Sequence, residues 1–290
     1  MGNFKEEDFK FLKMATGTLI LIDALVWIFI LFPVDLAVGG LGLYFLDVGQ
    51  GDSSLAVLPG GVKILIDGGP INGLLQKNLE NILPINDRYI DLIIISHPQI
   101  DHFGGLIEVA RNYKIGAVIT GDLESENANW REFKNILKEN NILRIILAGG
   151  DKIKYQDSQI DILLPSKKFI AKDVNDQSLA MLLNSGGIKA FFAGDLGGEM
   201  ESRLAKFFDI DVDILKVSHH GSKFSSDSEF LKEASPLISV IEVGKNSYGH
   251  PTKEVLEKLE QIGSQIFRTD LNGLIKIIAE NGKLKVFSNN

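Results

Sequence analysis

The sequence predicts an α/β protein with at least two sheets, and three observations carry that expectation. Apolar runs of five to seven residues, rich in β-branched side chains, recur from Gly42 onward and are separated by Gly-rich turns. Segments of helical periodicity lie between them, the alternation expected of a layered α/β domain. Two of the elements recur in the same order in each half of the chain.

The elements follow in order. In the first half the strand-like runs are YFLDV (44–48), LAVLP (55–59), VKILID (62–67), DLIIIS (91–96), AVIT (117–120) and LRIILA (143–148). Helical spacing of apolar residues places helices at about 72–83, 104–112 and 129–140 among them. The second half supplies QIDILLP (159–165), SLAMLL (178–183), KAFFAG (189–194), DILKVS (213–218), LISVIEV (237–243) and LIKIIA (274–279). Its helical stretches fall at about 197–208, 227–234 and 252–262. No Pro/Ser linker divides residues 40–290, so one domain is expected there.

Residues 15–36 read ATGTLILIDALVWIFILFPVDL, and only Asp23 interrupts the apolar run before Asp35. About 20 apolar residues suffice for a helix to cross a bilayer. The run exceeds the ~7–15 residues of a signal-peptide core and lacks an A-x-A site. Lys5, Lys10 and Lys13 precede it, and no Lys or Arg follows until Lys63. The positive-inside rule therefore predicts a cytoplasmic segment at 1–14, a transmembrane anchor at 15–36 and an extracytoplasmic domain at 40–290.

Composition narrows the chemistry. With 45% hydrophobic and 23% charged residues, neither wholesale disorder nor a multi-span membrane protein is expected. Cysteine is absent, which excludes disulfides, thiolate zinc sites and a cysteine nucleophile. A metal would have to sit on His, Asp, Glu or backbone oxygen. The formal net charge of −8 gives no global footprint for nucleic acid.

The internal recurrence locates a site. Residues 52–69 read DSSLAVLPGGVKILIDGG and residues 176–198 read DQSLAMLLNSGGIKAFFAGDLGG. Each is an Asp-x-Ser-Leu strand, a Gly-Gly turn, a second strand and an Asp beside glycines. DLIIISH (91–97) and DILKVSH (213–219) then end a buried strand on Ser-His in each half. Packing two such halves together brings Asp67, His97, Asp195 and His219 toward one edge. All five histidines, His97, His102, His219, His220 and His250, fall near strand ends or in Gly-containing loops. His97-x-x-x-Asp101-His102 has a spacing that suits a divalent metal of the Zn or Mn class, and Asp195 could bridge two ions. Read singly, Asp101 is equally a helix cap and Asp195 a turn residue.

The segments LDVGQGDSSL, ILIDGG, SHPQIDHFGGL, NDQSLAMLL, FAGDL, DILKVSHHGS, YGHP (248–251) and RTDLNG (268–273) occur in this order over roughly residues 42–280. Together they resemble the metallo-β-lactamase-fold hydrolase domain at the C-terminus of the ComEC family of DNA-uptake channel proteins. The resemblance implies a four-layer αββα sandwich with a site for one or two divalent ions at the sheet edges. It assigns His97, Asp101 and His102 as ligands in the first half, Asp195 as the bridging carboxylate, and His219 or His220 as the ligand closing the second half. The repeat, which equates His219 with His97, favours His219. Asn175 or Asp176 occupies a place where other branches carry a ligand His. Asp67 is expected to orient the His97 loop from behind, with Asp47, Gln50 and Asp52 framing the site. Asp101 doubles as a catalytic candidate, and His250, ahead of Ser222, is the candidate for contact with a substrate phosphate.

Relatives usually carry an acid or a histidine where this chain has Gln99. A neutral amide there weakens one of the two metal positions. The implied activity is metal-assisted hydrolysis of a phosphodiester, possibly DNA, by water activated on the metal. The alternatives are another hydrolase of the same fold acting on a lactone, lactam or small phosphoester, and a catalytically weak binding module.

Overall fold

Strands that are apolar on both faces must be covered on both faces, and two sheets with flanking helices do so here. The structure is a computed structural model that describes residues 39–166, 173–280 and 282–288, together with helical Thr16, Thr18 and Asp23. The anchor expected at 15–36 and the segment 1–14 otherwise lie outside the described residues. Among the described residues, no helix is long and apolar enough to cross a membrane. The chain divides into two units, Met1–Leu36 and Ala37–Asn290.

In the second unit, β1 (Leu41–Phe45), β2 (Ser54–Val57), β3 (Lys63–Ile66), β4 (Tyr89–Ile95), β5 (Lys114–Thr120) and β6 (Leu143–Ile146) build one sheet. The other consists of β7 (Lys152–Tyr155), β8 (Ser158–Leu164), β9 (Ala180–Ser185), β10 (Ile188–Phe192), β11 (Ile214–Lys216), β12 (Ile238–Ile241) and β13 (Gln265–Arg268). The chain then returns to the first sheet through β14 (Ile275–Glu280) and β15 (Lys283–Ser288), giving the orders β15-β14-β1-β2-β3-β4-β5-β6 and β13-β12-β11-β10-β9-β8-β7.

The recurrence in sequence is a recurrence in topology. β2 and β3 pair antiparallel, and β3 to β6 then run parallel. β9 and β10 likewise pair antiparallel before β10 to β13 run parallel. Between the sheets lies a core that includes Leu43, Phe45, Ile64, Ile66, Met181, Ala190, Phe192, Val240 and Ile277, with Phe45 and Phe192 stacked at 6.2 Å. Phe191 and Ala193 point to the opposite face and pack beneath helices. This alternation explains why the run from Ala190 to Gly194 is apolar throughout: both of its faces are buried.

Helices α1 (Leu74–Ile82), α2 (Ile100–Phe103), α3 (Leu106–Asn112) and α4 (Ala128–Glu139) belong to the first half. α5 (Gly198–Phe207), α6 (Ser228–Ala234) and α7 (Lys253–Gln261) belong to the second, and α8 (Thr269–Asn272) precedes the return to the first sheet. Phe103 meets Trp130 edge-on at 4.9 Å, joining α2 to α4. Leu204, Phe230, Leu231, Val255 and Leu259 bring α5, α6 and α7 onto the second sheet. The expected helix at 104–112 is α3, with the short α2 ahead of it.

β7, β13 and β15 were not expected from the sequence. Each is an edge strand of mixed polar and apolar residues that are exposed or half-buried, as in the alternating exposure of Lys283–Ser288. Edge strands carry polar residues to avoid pairing with other chains, so the long apolar run that marks a central strand is missing.

Candidate metal centre

The residues singled out by the repeat follow the carboxyl ends of parallel strands, the usual ligand-binding edge of open α/β sheets. Asp67 follows β3 and His97 follows β4, while Asp195 and His219 follow β10 and β11. The ligand atoms of His97, His102 and Asp195 lie within 4.8 Å of one another, and so do those of Asp101, His102 and His220.

Each imidazole is held from behind. His102 Nδ1 lies 3.0 Å from Asp67 Oδ2. Asp67 also accepts the Ser96 N–H and hydroxyl, both at 2.7 Å, so one carboxylate fixes His102 and the start of the His97 loop. His97 Nδ1 faces the hydroxyls of Ser96 at 3.0 Å and Ser178 at 3.2 Å. His220 Nδ1 donates to the Glu242 carbonyl at 2.8 Å. The Nε2 atoms of His97, His102 and His220 are all buried without a hydrogen-bond partner, as is Asp195 Oδ1. Buried polar atoms rarely stay unpaired. Three orphaned ring nitrogens beside an orphaned carboxylate oxygen fit a divalent cation of the kind His and Asp bind.

His219 and His220 both take left-handed backbone, with φ of 51° and 53°, at a cost of ~1–3 kcal/mol each. The turn Ser218–Gly221 that carries them is held by His219 N–H to the Gly194 carbonyl at 3.1 Å and by Ser218 Oγ to Glu201 at 2.5 Å. Gly194 is required at that crossing. Its own φ is +56°, and a Cβ there would meet Ser96 and Ser178 at 2.9 Å. The turn directs His220 into the buried cluster, its Nε2 3.7 Å from Asp101 Oδ2, while partly exposed His219 approaches Asp195 Oδ2 at 3.7 Å. Both histidines therefore border the site. The repeat pointed to His219, yet the orphaned nitrogen belongs to His220.

The electrostatics are those of a crowded anionic pocket. Burial would push Asp195 up, but His102, His220 and His97 outweigh it and hold its carboxyl well below the usual range. Burial also opposes charge on His102 and His220. Asp195 and Asp67 nonetheless lift His102, and Asp52 with Asp195 lifts His220 to about 10. His97, buried beside His102, is pushed down to about 3. A divalent ion bound there would take over the positive charge that these imidazoles carry as protons.

Other expected residues take supporting or separate places. Asp52 is buried, pairs with Lys216 Nζ and lies 3.0 Å from His220 Nδ1. Gln99 donates to Asn175 Oδ1 at 2.6 Å, so the two amides at doubtful ligand positions bond each other. Asp176 accepts the Gly197 N–H at 3.0 Å and acts as a loop anchor. Asp47 Oδ1 accepts only a 3.3 Å contact from Gly49 N–H among its described side-chain hydrogen bonds. Gln50 Oε1 accepts the Gly244 N–H at 3.3 Å. Ser222 is buried and its hydroxyl accepts the Phe224 N–H. The His250 ring stands 5.7 Å from that of His219, at the rim.

Sequence reasoning missed Lys216 and Glu242. Both are buried charges inside apolar strand runs, DILKVS and LISVIEV. A charged residue within a buried strand signals a paired partner. Here Lys216 meets Asp52, and Glu242 accepts the Ser54 hydroxyl at 3.0 Å.

A family described as the beta-lactamase superfamily domain matches residues 63–227. ComE operon protein 3 of Bacillus subtilis is 29% identical over 254 residues, covering 81% of this chain and 33% of that protein. Recombination protein 2 of Haemophilus influenzae is 28% identical over 246 residues, covering 83% of this chain and 29% of the relative. The chain thus spans about a third of the length of these curated relatives. Among solved structures, Igni18, a metallo hydrolase from the hyperthermophilic archaeon Ignicoccus hospitalis, is similar with a TM-score of 0.52 and 16% identity. That match covers 86% of this chain and 100% of the other.

Proposed function

Because the chain belongs to the beta-lactamase superfamily, whose matched segment holds this His/Asp cluster, we propose that it is a metal-dependent hydrolase of phosphodiesters, with nucleic acid as its substrate class. One observation carries the metal: the buried, unpartnered Nε2 atoms of His97, His102 and His220 beside Asp195. The likeness to a recombination protein and a ComE operon protein supports the nucleic-acid substrate.

His97, Asp101, His102, Asp195 and His220, with His219 at the border, would hold one or two ions of the Zn or Mn class. A bound ion supplies Lewis acidity and lowers the pKa of water from 15.7 toward ~7. Asp67 and the Glu242 carbonyl keep the His102 and His220 rings oriented. Asp101, partly exposed and 3.7 Å from His220, is the carboxylate that solvent reaches, and it orients the attacking water by accepting a hydrogen bond from it. His250 at the rim offers a ring nitrogen to a phosphate oxygen. The Gln99–Asn175 bond favours a second reading of occupancy, with one ion held tightly and the other weakly.

Methyl p-nitrophenyl phosphate tests the reaction class. The full-length chain, purified in detergent and loaded with Mn or Zn, is expected to hydrolyse it, to stop on chelation and to recover on metal return. Absence of turnover with every divalent metal would refute the proposal.

The chain's place in the cell is part of the same reading. Residues 15–36 form the anchor, 1–14 face the cytoplasm and the domain at 40–290 faces outward. Protease added to spheroplasts is then expected to digest the domain and spare an N-terminal tag. A protected domain would reverse the orientation, and release of a protein lacking 1–38 would replace the anchor with a cleaved signal.

A further inference from the structure

Two loops beside the candidate metal centre share an unusual composition. Val217–Ser226 reads VSHHGSKFSS and Val243–Thr252 reads VGKNSYGHPT. Neither holds an acidic residue, in a chain with 38 Asp and Glu and a formal net charge of −8. Each holds one lysine next to or near an aromatic ring turned to solvent. Phe224 is 71% exposed and Tyr248 is 73% exposed. The loops touch where the Thr252 N–H donates to the Gly221 carbonyl at 2.9 Å.

These rings stand on stiff supports. Asn246 donates to the Gly244 carbonyl at 2.9 Å and the His250 carbonyl at 2.8 Å, and its Oδ1 accepts the Tyr248 and His250 N–H groups at 3.1 Å. One side chain therefore fixes the loop that presents Tyr248. Phe224 is pinned on both sides of its backbone: its N–H donates to Ser222 Oγ at 3.3 Å and its carbonyl accepts the Gly198 N–H at 2.8 Å. Lys223 Nζ lies 5.0 Å from the Phe224 ring centroid. From Tyr248 a line of rings leads inward, to His250 at 5.7 Å and on to His219 at a further 5.7 Å.

Holding an exposed ring in place lowers the entropy lost when something stacks on it. Planar, anionic ligands suit exposed aromatics flanked by cations. Unpaired nucleotides have that character, since every base offers a π face and every linkage a negative charge. We infer that Phe224 and Tyr248, with Lys223 and Lys245, form a base-stacking rim that feeds an unpaired nucleic-acid strand to the metal centre. This rests on the phosphodiester reading above and specifies the form of nucleic acid: single-stranded, and held by its bases.

Fluorescence anisotropy on the full-length chain in calcium buffer tests it, with a 15-nucleotide oligothymidylate and an abasic strand of equal length. Stacking on an aromatic ring strengthens binding roughly five- to 150-fold per base. The wild type is therefore expected to hold oligothymidylate at least about tenfold more tightly than the abasic strand. The double variant Phe224→Ala/Tyr248→Ala should bring the two affinities together, and Phe224→Tyr/Tyr248→Phe should retain the difference. Turnover of methyl p-nitrophenyl phosphate should be unchanged in both. Equal binding of the two strands by the wild type, binding of neither, or a preference that survives the alanine variant would overturn the rim. Base-dependent binding without turnover of any small phosphodiester would instead remove the hydrolytic reading and leave the rim standing.

Discussion

Asp195→Ala is expected to abolish tight metal binding and phosphodiester hydrolysis together. Its Oδ2 lies 3.3 Å from His102 Nε2 and 3.7 Å from His219 Nε2, so one carboxylate serves both halves of the site. The remaining groups keep their supports: Asp67 still orients His102, and the Glu242 carbonyl still orients His220. Loss of an outer partner of a metal ligand costs ~10–100-fold in affinity or activity. Loss of the shared carboxylate itself should cost more. Asp195→Asn keeps the volume and separates charge from packing. Both variants should retain the wild-type circular dichroism and fail to retain metal through gel filtration. Retention of metal and turnover by either would remove Asp195 from the centre.

Gln99→Asp is expected to act in the opposite direction. In the native chain the Gln99 amide, two residues from His97, donates to Asn175 Oδ1. A carboxylate at 99 can no longer donate, so Asn175 must turn its amide to offer an N–H. The new charge then lies near the His97 side of the cluster, where an anionic ligand is otherwise supplied by Asp195. Losing an outer partner of a metal ligand costs ~10–100-fold, so gaining an anionic group at the ion itself should raise affinity for the weaker ion measurably, and turnover at limiting metal with it. Titration of Mn against hydrolysis rate for both forms decides this. Equal curves would mean that position 99 faces away from the ions and that its amide pair is purely structural.

Much of this was legible in the sequence because the fold repeats itself. DSSL…IDGG and DQSL…GDLGG announced two like halves, and each proved to be an antiparallel hairpin leading into parallel strands. The central strands were recognisable because burial on both faces makes them apolar throughout. The edge strands β7, β13 and β15 were not, because partial exposure to solvent mixes polar residues into the run. The repeat and the His97-x-x-x-Asp101-His102 spacing pointed to His97, Asp101, His102 and Asp195, which the fold gathers around His102. The repeat favoured His219, because it does not encode the two consecutive left-handed residues that turn the unpartnered Nε2 of His220 into the cluster. Asp176 was a ligand candidate by position, yet its carboxylate holds the Gly197 N–H. Lys216 and Glu242 stood in plain view within apolar runs; only their partners Asp52 and Ser54, 164 and 188 residues away, show what they do.

In the proposed centre the unpartnered Nε2 atoms of His97, His102 and His220 ligate the metal. X-ray absorption on the cobalt-loaded full-length chain tests this ligation most directly. Scattering from imidazole nitrogen is expected at a Co–N distance near the ~2.0–2.1 Å found for zinc–histidine sites, with intensity reduced in His220→Ala. Cobalt that fails to bind after removal of excess, or that binds with oxygen scattering alone and no change in His220→Ala, would contradict it.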